Sequence, residues 1–256
     1  MATYDAHPEP RLIGSDRATA WLSSSWKLFM TAPAIWIVMG VVFAVIHVLL
    51  GLVPVIGSVA HMLLLPVLVA GLMEASRIAE SGEVLPFEAL FAGFRNRTGD
   101  LVMVGLLALG ALVFIGVIAF VILLVGGGGG IFSALKHLAD AGVDVTATTS
   151  GASIGLALGS LLLASLVTLT LMLPLTMALW FAPALVFFDG VAPFAAMKSS
   201  LHAAVHNWLV LTIYSILAAV LSMIAAATVI GLLLVVPILA TSVYLSYRDI
   251  FHGAAD

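Results

Sequence analysis

Four histidines and five charged residues are the side chains in this sequence whose placing could do chemistry. His47 and His61 lie seven residues before and seven after Pro54, at a turn between two apolar runs. In a hairpin, equal distance from the turn means similar depth, roughly 10 Å at 1.5 Å per residue. An ionisable group inside a membrane is a functional candidate by default. With Met62 next to His61, imidazole and thioether would suit a soft metal such as copper(I). Two neutral histidines bonded to backbone or to each other satisfy the same positions. His202 and His206 are four apart, the chelating spacing of zinc helices, but Ala203 stands where the glutamate of His-Glu-x-x-His would be. A wet helix face explains that pair equally well.

Glu74, Arg77, Asp189, Arg248 and Asp249 fall at the ends of apolar runs, and charges embedded there need partners. Three residues apart, Glu74 and Arg77 can pair on one helix face, whereas Asp249 must look beyond its neighbour Arg248. The plain reading is an ion-pair layer that holds helices in register; a proton or ion relay is the sharper one. No cysteine is present, which removes disulfides, thiolate metal sites and Cys nucleophiles. No His and Asp constellation accompanies a serine. The sequence therefore argues for no enzyme and calls for no cofactor or metal.

The elements that must position these residues are membrane helices. The chain is 63% hydrophobic and 9% charged, with a mean hydropathy of +1.25. A soluble domain carries about 25% charged residues because its surface meets water. The net charge of -4 gives no sign of a nucleic-acid partner. Six runs, at roughly 33–52, 56–78, 101–125, 157–187, 208–227 and 229–249, reach the about twenty residues that cross a bilayer. The fourth is overlong, so it tilts, kinks at Pro174 or Pro183, or extends beyond the bilayer. Pro66, Pro174 and Pro237 fall mid-run and predict bent rather than broken helices. Residues 1–15 form a polar tail without the layout of a cleaved signal peptide. Eight of the nine basic residues, all but Lys136, fall on one side of the alternating connections. That side is cytoplasmic by the positive-inside rule, with both termini on it.

Pro66, Pro174 and Pro237 are each followed sixteen residues later by a glycine: Gly82, Gly190 and Gly253. This fixed offset predicts an all-α, polytopic bundle of three repeated units, each an interfacial helix followed by a two-span hairpin. The units cover about 16–82, 86–190 and 193–253 within a single transmembrane domain, 16–253. Segments starting at Trp21, Phe87 and Phe194 precede the first spans, each with an apolar residue seven on, at Leu28, Phe94 and Leu201. They read as amphipathic helices lying in the interface. An outer loop over about 126–153 opens with five glycines, Gly126 to Gly130, expected to act as a flexible hinge.

Several strings then resemble a family of uncharacterised integral membrane proteins of proteobacteria. They are Val-Pro-Val-Ile-Gly at 53–57, Ala-Gly-Leu-Met at 70–73, Leu-Phe-Ala-Gly-Phe-Arg at 90–95, Met-Ala-Leu-Trp-Phe-Ala-Pro-Ala-Leu at 177–185, Ala-Ala-Met-Lys at 195–198 and Ser-Tyr-Arg-Asp-Ile-Phe at 246–251. That family is distantly similar to the membrane domain attached to some glycerophosphodiester phosphodiesterases. The resemblance implies a six-helix protein of the bacterial inner membrane and brings no catalytic residues. The expected role is a structural or accessory one, organising lipid or partners, with the lipid bilayer, other membrane proteins or further copies of the chain as partners. The alternative is a transporter or permease for a lipid or small amphiphile, since internal repeats and proline-interrupted helices are shared with transporters.

Overall fold

A computed structural model describes residues 8–139 and 151–253. Among them every regular element is helical and no strand occurs. In order they are α1 (Arg17–Thr31), α2 (Pro33–Gly51), α3 (Ile56–Glu80), a short 3-10 turn (Phe87–Phe91), α4 (Ala92–Arg95), α5 (Thr98–Ala139), α6 (Gly151–Trp180), α7 (Ala182–Phe187), α8 (Pro193–His206), α9 (Trp208–Ala225) and α10 (Val229–Phe251). Six helical stretches are long and apolar enough to cross a membrane: Pro33–Gly51, Ile56–Glu80, Thr98–Gly126, Leu158–Phe187, Trp208–Ala225 and Leu233–Phe251. This is an all-α membrane protein.

Local chemistry sets the ends of these helices. Proline opens α2, α7 and α8 at a position whose amide would have no partner anyway. The Thr228 hydroxyl accepts from the Gly231 amide at 3.0 Å and caps α10. Gly82, Gly190 and Gly253, which close the three expected units, are the described glycines with positive φ, at 77°, 68° and 87°. A side chain would strain each of these left-handed stops. Pro66, Pro174 and Pro237 lie inside α3, α6 and α10, which continue through them.

The fourth span breaks at Pro183 and not at Pro174. At the break, the Phe181 amide donates to Ser200 Oγ at 2.9 Å, and that hydroxyl donates to the Met177 carbonyl at 2.7 Å. A fully buried side chain from α8 is thus inserted into the ladder of α6, so the kink leaves neither backbone group orphaned.

The chain divides into two compact units, residues 1–109 with 177–256, and residues 110–176. In the first, α10 packs against α1, α2, α3 and α9. Of its span, 61% is buried, against 44% for α3 and 17% for α2 and α9. The span of α10 is also the least hydropathic of the six. Its polar residues Thr241, Ser242, Ser246 and Asp249 are all buried, because lipid gives a polar group no partner and the bundle interior does. Around it gather Trp21, Met73, Leu101, Phe181, Leu185, Tyr214 and Ile250, with a second cluster about Trp36, Met39, Leu72 and Leu90. In the second unit, Phe114, Phe120, Leu162 and Leu169 are exposed. There, a Cβ on Gly126 would stand 2.5 Å from that of Ser160, so glycine permits the close approach of α5 and α6.

Three expectations need correction. Gly126 to Gly130 are helical and continue α5 to Ala139. Extending an existing helix needs no new nucleus, and this outweighs the conformational freedom that glycine gives up. The outer loop over 126–153 is thus shortened from both sides, its middle, 140–150, lying outside the described residues. The segment from Phe87 is a 3-10 turn followed by one turn of α-helix, and Leu90 is buried in the protein against α3 rather than facing lipid. The aligned positions Trp21 and Phe194 also differ: the first is buried and the second 74% exposed.

Candidate functional site

A polar layer at the ends of α3 and α10 collects most of the singled-out charges. Glu74 and Arg77 form a bidentate pair one turn apart, at 2.8 and 2.7 Å. Asp249, 1% exposed, accepts from Arg17 of α1 at 2.9 and 2.5 Å and from the Trp21 indole at 2.6 Å. Arg248 pairs with Glu80, which also accepts from the Tyr244 hydroxyl at 3.1 Å. Asp189 accepts from the Tyr247 hydroxyl at 2.5 Å and lies 3.2 Å from His252 Nε2. Tyr247 has a single proton and gives it to Asp189, so at 2.9 Å it is His252 Nε2–H that donates to the tyrosine oxygen.

Sequence reasoning missed Arg17, Trp21, Glu80, Tyr244, Tyr247 and His252 as parts of this layer. Helical spacing held part of the signal: Tyr244, Tyr247, Arg248 and Asp249 lie within two turns of α10, where lipid would not tolerate them. The identity of their partners was not readable, since these come from α1, from the end of α3 and from just beyond α7.

The histidines fall in two pairs. The rings of His47 and His61 stand edge to face, with centroids 4.2 Å apart. His61 Nε2 is buried without a hydrogen-bond partner among the described residues. His202 and His206 lie side by side on the exposed face of α8, with ring centroids 4.5 Å apart. No group of three or more His, Asp or Glu residues placed to hold a metal occurs among the described residues. The string Gly151-Ala152-Ser153-Ile154-Gly155 spells Gly-x-Ser-x-Gly, but its backbone is helical throughout, whereas the nucleophile of a serine hydrolase sits on a sharp strand-to-helix turn.

The first unit also holds a cavity of about 400 Å³. It is lined by Phe43, Pro66, Met73, Pro183, Ala240 and Val243 among other apolar side chains. Of its lining residues Trp180 alone carries a side-chain nitrogen or oxygen, and that Nε1 is buried without a hydrogen-bond partner among the described residues. Pro66 of α3 and Pro183 of α7 both line it. Its chemistry suits a hydrocarbon chain carrying at most one hydrogen-bond acceptor.

No family model and no solved structure matches the chain. A probable inner membrane protein of Burkholderia thailandensis is 30% identical over 207 residues, which cover 80% of this chain and 73% of that protein. The chain belongs to that protein's family. For a member of this inner membrane protein family, lipid surrounds the outward leucines, valines and phenylalanines of α2, α5, α6 and α9. The charged layer and the apolar cavity are then two different surroundings within one bundle.

Proposed function

We propose that this protein is a non-enzymatic accessory component of the bacterial inner membrane that holds a lipid chain within its helix bundle. The apolar cavity carries this reading. An open apolar cleft of about 400 Å³ between helices leaves packing contacts unmade unless something fills it, and the acyl chains around the protein match its lining. The inner-layer carboxylates fit a structural task, since each is engaged by an arginine, a tyrosine or an indole. The distant likeness to the membrane domain of some glycerophosphodiester phosphodiesterases belongs to the same reading, because a domain attached to an enzyme is itself accessory.

Ala240→Trp fills the cavity. Native mass spectrometry of gently solubilised protein should show lipid adducts on the wild type and fewer on this variant; equal adducts on both would sink the reading. A second reading, a permease for an amphiphile, is favoured by the prolines of α3 and α7 that line the same cavity. Dye-labelled lipid crossing reconstituted vesicles faster than in protein-free ones would select it.

The topology proposed puts both termini and the charged layer on the cytoplasmic side, from the bias of basic residues. Reporter fusions after Gly82 and Gly190 should score cytoplasmic and one within 140–150 external; an external Gly82 overturns it.

A further inference from the structure

Beside the charged layer lies a second, half-open cavity of about 220 Å³, lined by α1 and by the ends of α3 and α10. Six of its residues matter: Trp21, Ser24, Lys27, Leu28, Arg248 and Asp249. On α1 these fall at spacings of three, four and seven, so one helix face forms the wall. The layer's pairing is incomplete here. Asp249 is 1% exposed, and while its Oδ2 takes Arg17 and Trp21, its Oδ1 is buried with no hydrogen bond among the described residues. The nearest cation to Oδ1 is Arg248 Nη2, at 3.8 Å, beyond hydrogen-bond reach. Arg248 Nε is likewise buried and unpartnered. Lys27 is exposed and has no ion-pair partner among the described residues.

A buried carboxylate oxygen and a buried guanidinium N–H, both unused and both in residues lining one cavity, are costly unless a ligand completes them. The ligand must bring an N–H donor for Asp249 and an anionic oxygen for Arg248 and Lys27. We propose that this cavity binds the headgroup of a phosphatidylethanolamine-type lipid, its phosphodiester at Lys27 and Arg248 Nε and its ammonium at Asp249 Oδ1. Trp26 and Met30, apolar side chains 48% and 55% exposed on α1 next to Lys27, are placed to seat the lipid's chains. Ammonium is selected over hydroxyl because its charge also offsets that of the carboxylate.

The proposal deepens the lipid-holding reading and rests on it, yet the two fail separately: Ala240→Trp addresses only the tail cavity, and Lys27→Gln only the headgroup site. The experiment uses the full chain, delipidated in detergent, titrated with dihexanoyl phosphatidylethanolamine and followed by tryptophan fluorescence. Phosphatidylcholine of the same chain length should bind at least about tenfold more weakly, since its quaternary ammonium has no proton to donate. Lys27→Gln, an exposed change that disturbs no pair, should weaken the ethanolamine lipid by about tenfold and leave melting of the lipid-free protein unchanged. Asp249→Asn should abolish the preference over phosphatidylcholine if it folds; Lys27→Gln decides the matter if it does not. Equal binding of the two lipids, or unchanged binding by Lys27→Gln, overturns the proposal. So does inorganic phosphate competing as well as the lipid, since the site would then be one for free phosphate.

Discussion

Residues 110–126 and 155–176 carry no charged side chain, whereas the ends of α3 and α10 gather Glu74, Arg77, Glu80, Arg248 and Asp249 within a few turns. The hairpin of the second unit presents its large apolar residues outward and relies on small ones, such as Gly126 opposite Ser160, for contact. The first unit packs α10 inward and spends its polar groups on one another. The contrast shows two ways to hold helices where burial of apolar surface gives little advantage over lipid. One is close backbone approach, and the other is directional polar contact that lipid cannot replace.

The widest gap between the regions should come from Asp249→Ala. It leaves Arg17 and the Trp21 indole unpaired, at a cost of about 4 kcal/mol. Melting in detergent should fall sharply, and the double variant with Arg17→Ala should fall by less than the sum of the two single ones. Strict additivity with small losses would mean that these charges only face water, erasing the distinction from the hairpin.

Next in size is a pair of leucine truncations that uses the same chemistry in both regions. Leu185 is fully buried in the first unit and Leu162 is 71% exposed in the second. Leu185→Ala should cost about 3 kcal/mol, as a cavity-forming change does. Leu162→Ala should cost about 0.5 kcal/mol or less, because acyl chains close over the gap. Equal losses in a thermal melt would show that the hairpin face is covered by protein.

The smallest effect belongs to a pair within the layer itself. Arg77 is 49% exposed and its partner Glu74 is one turn away, so Arg77→Gln should cost only about 0.5 kcal/mol. A loss as large as that of Asp249→Ala, measured in the same melt, would mean that depth does not grade the layer.

The two kinds of pair also separate what the sequence could tell from what it could not. Glu74 and Arg77 are three apart, and the helical period alone put them on one face. The six apolar windows and the proline positions were equally local, so they were legible. Arg17 with Asp249, and Glu80 with Arg248, join residues 232 and 168 positions apart. Periodicity says which residues share a face and nothing about which helix that face meets. Ser200 illustrates the same limit: a serine on a helix face gives no sign that it will mend the backbone of α6. The five glycines misled in the opposite direction. Their freedom suggested a hinge, and a helix already formed before them made that freedom immaterial.

The pairing of α1 with α10 has a consequence in time. Arg17 meets Asp249, the Arg11 amide donates to the Ile250 carbonyl at 2.8 Å, and the Ile13 amide donates to Asn207 at 2.9 Å. A ribosome adds about 5–20 residues per second, so the 232 residues between Arg17 and Asp249 take on the order of 12–46 s to make. Throughout that interval α1 lacks its partner helix: Arg17 and Trp21 have no acceptor, and Glu80, once made, has no arginine. Insertion into the bilayer and completion of the fold are therefore separate events, the second gated by the synthesis of α10. The unpaired face of α1 is the mark of an unfinished chain.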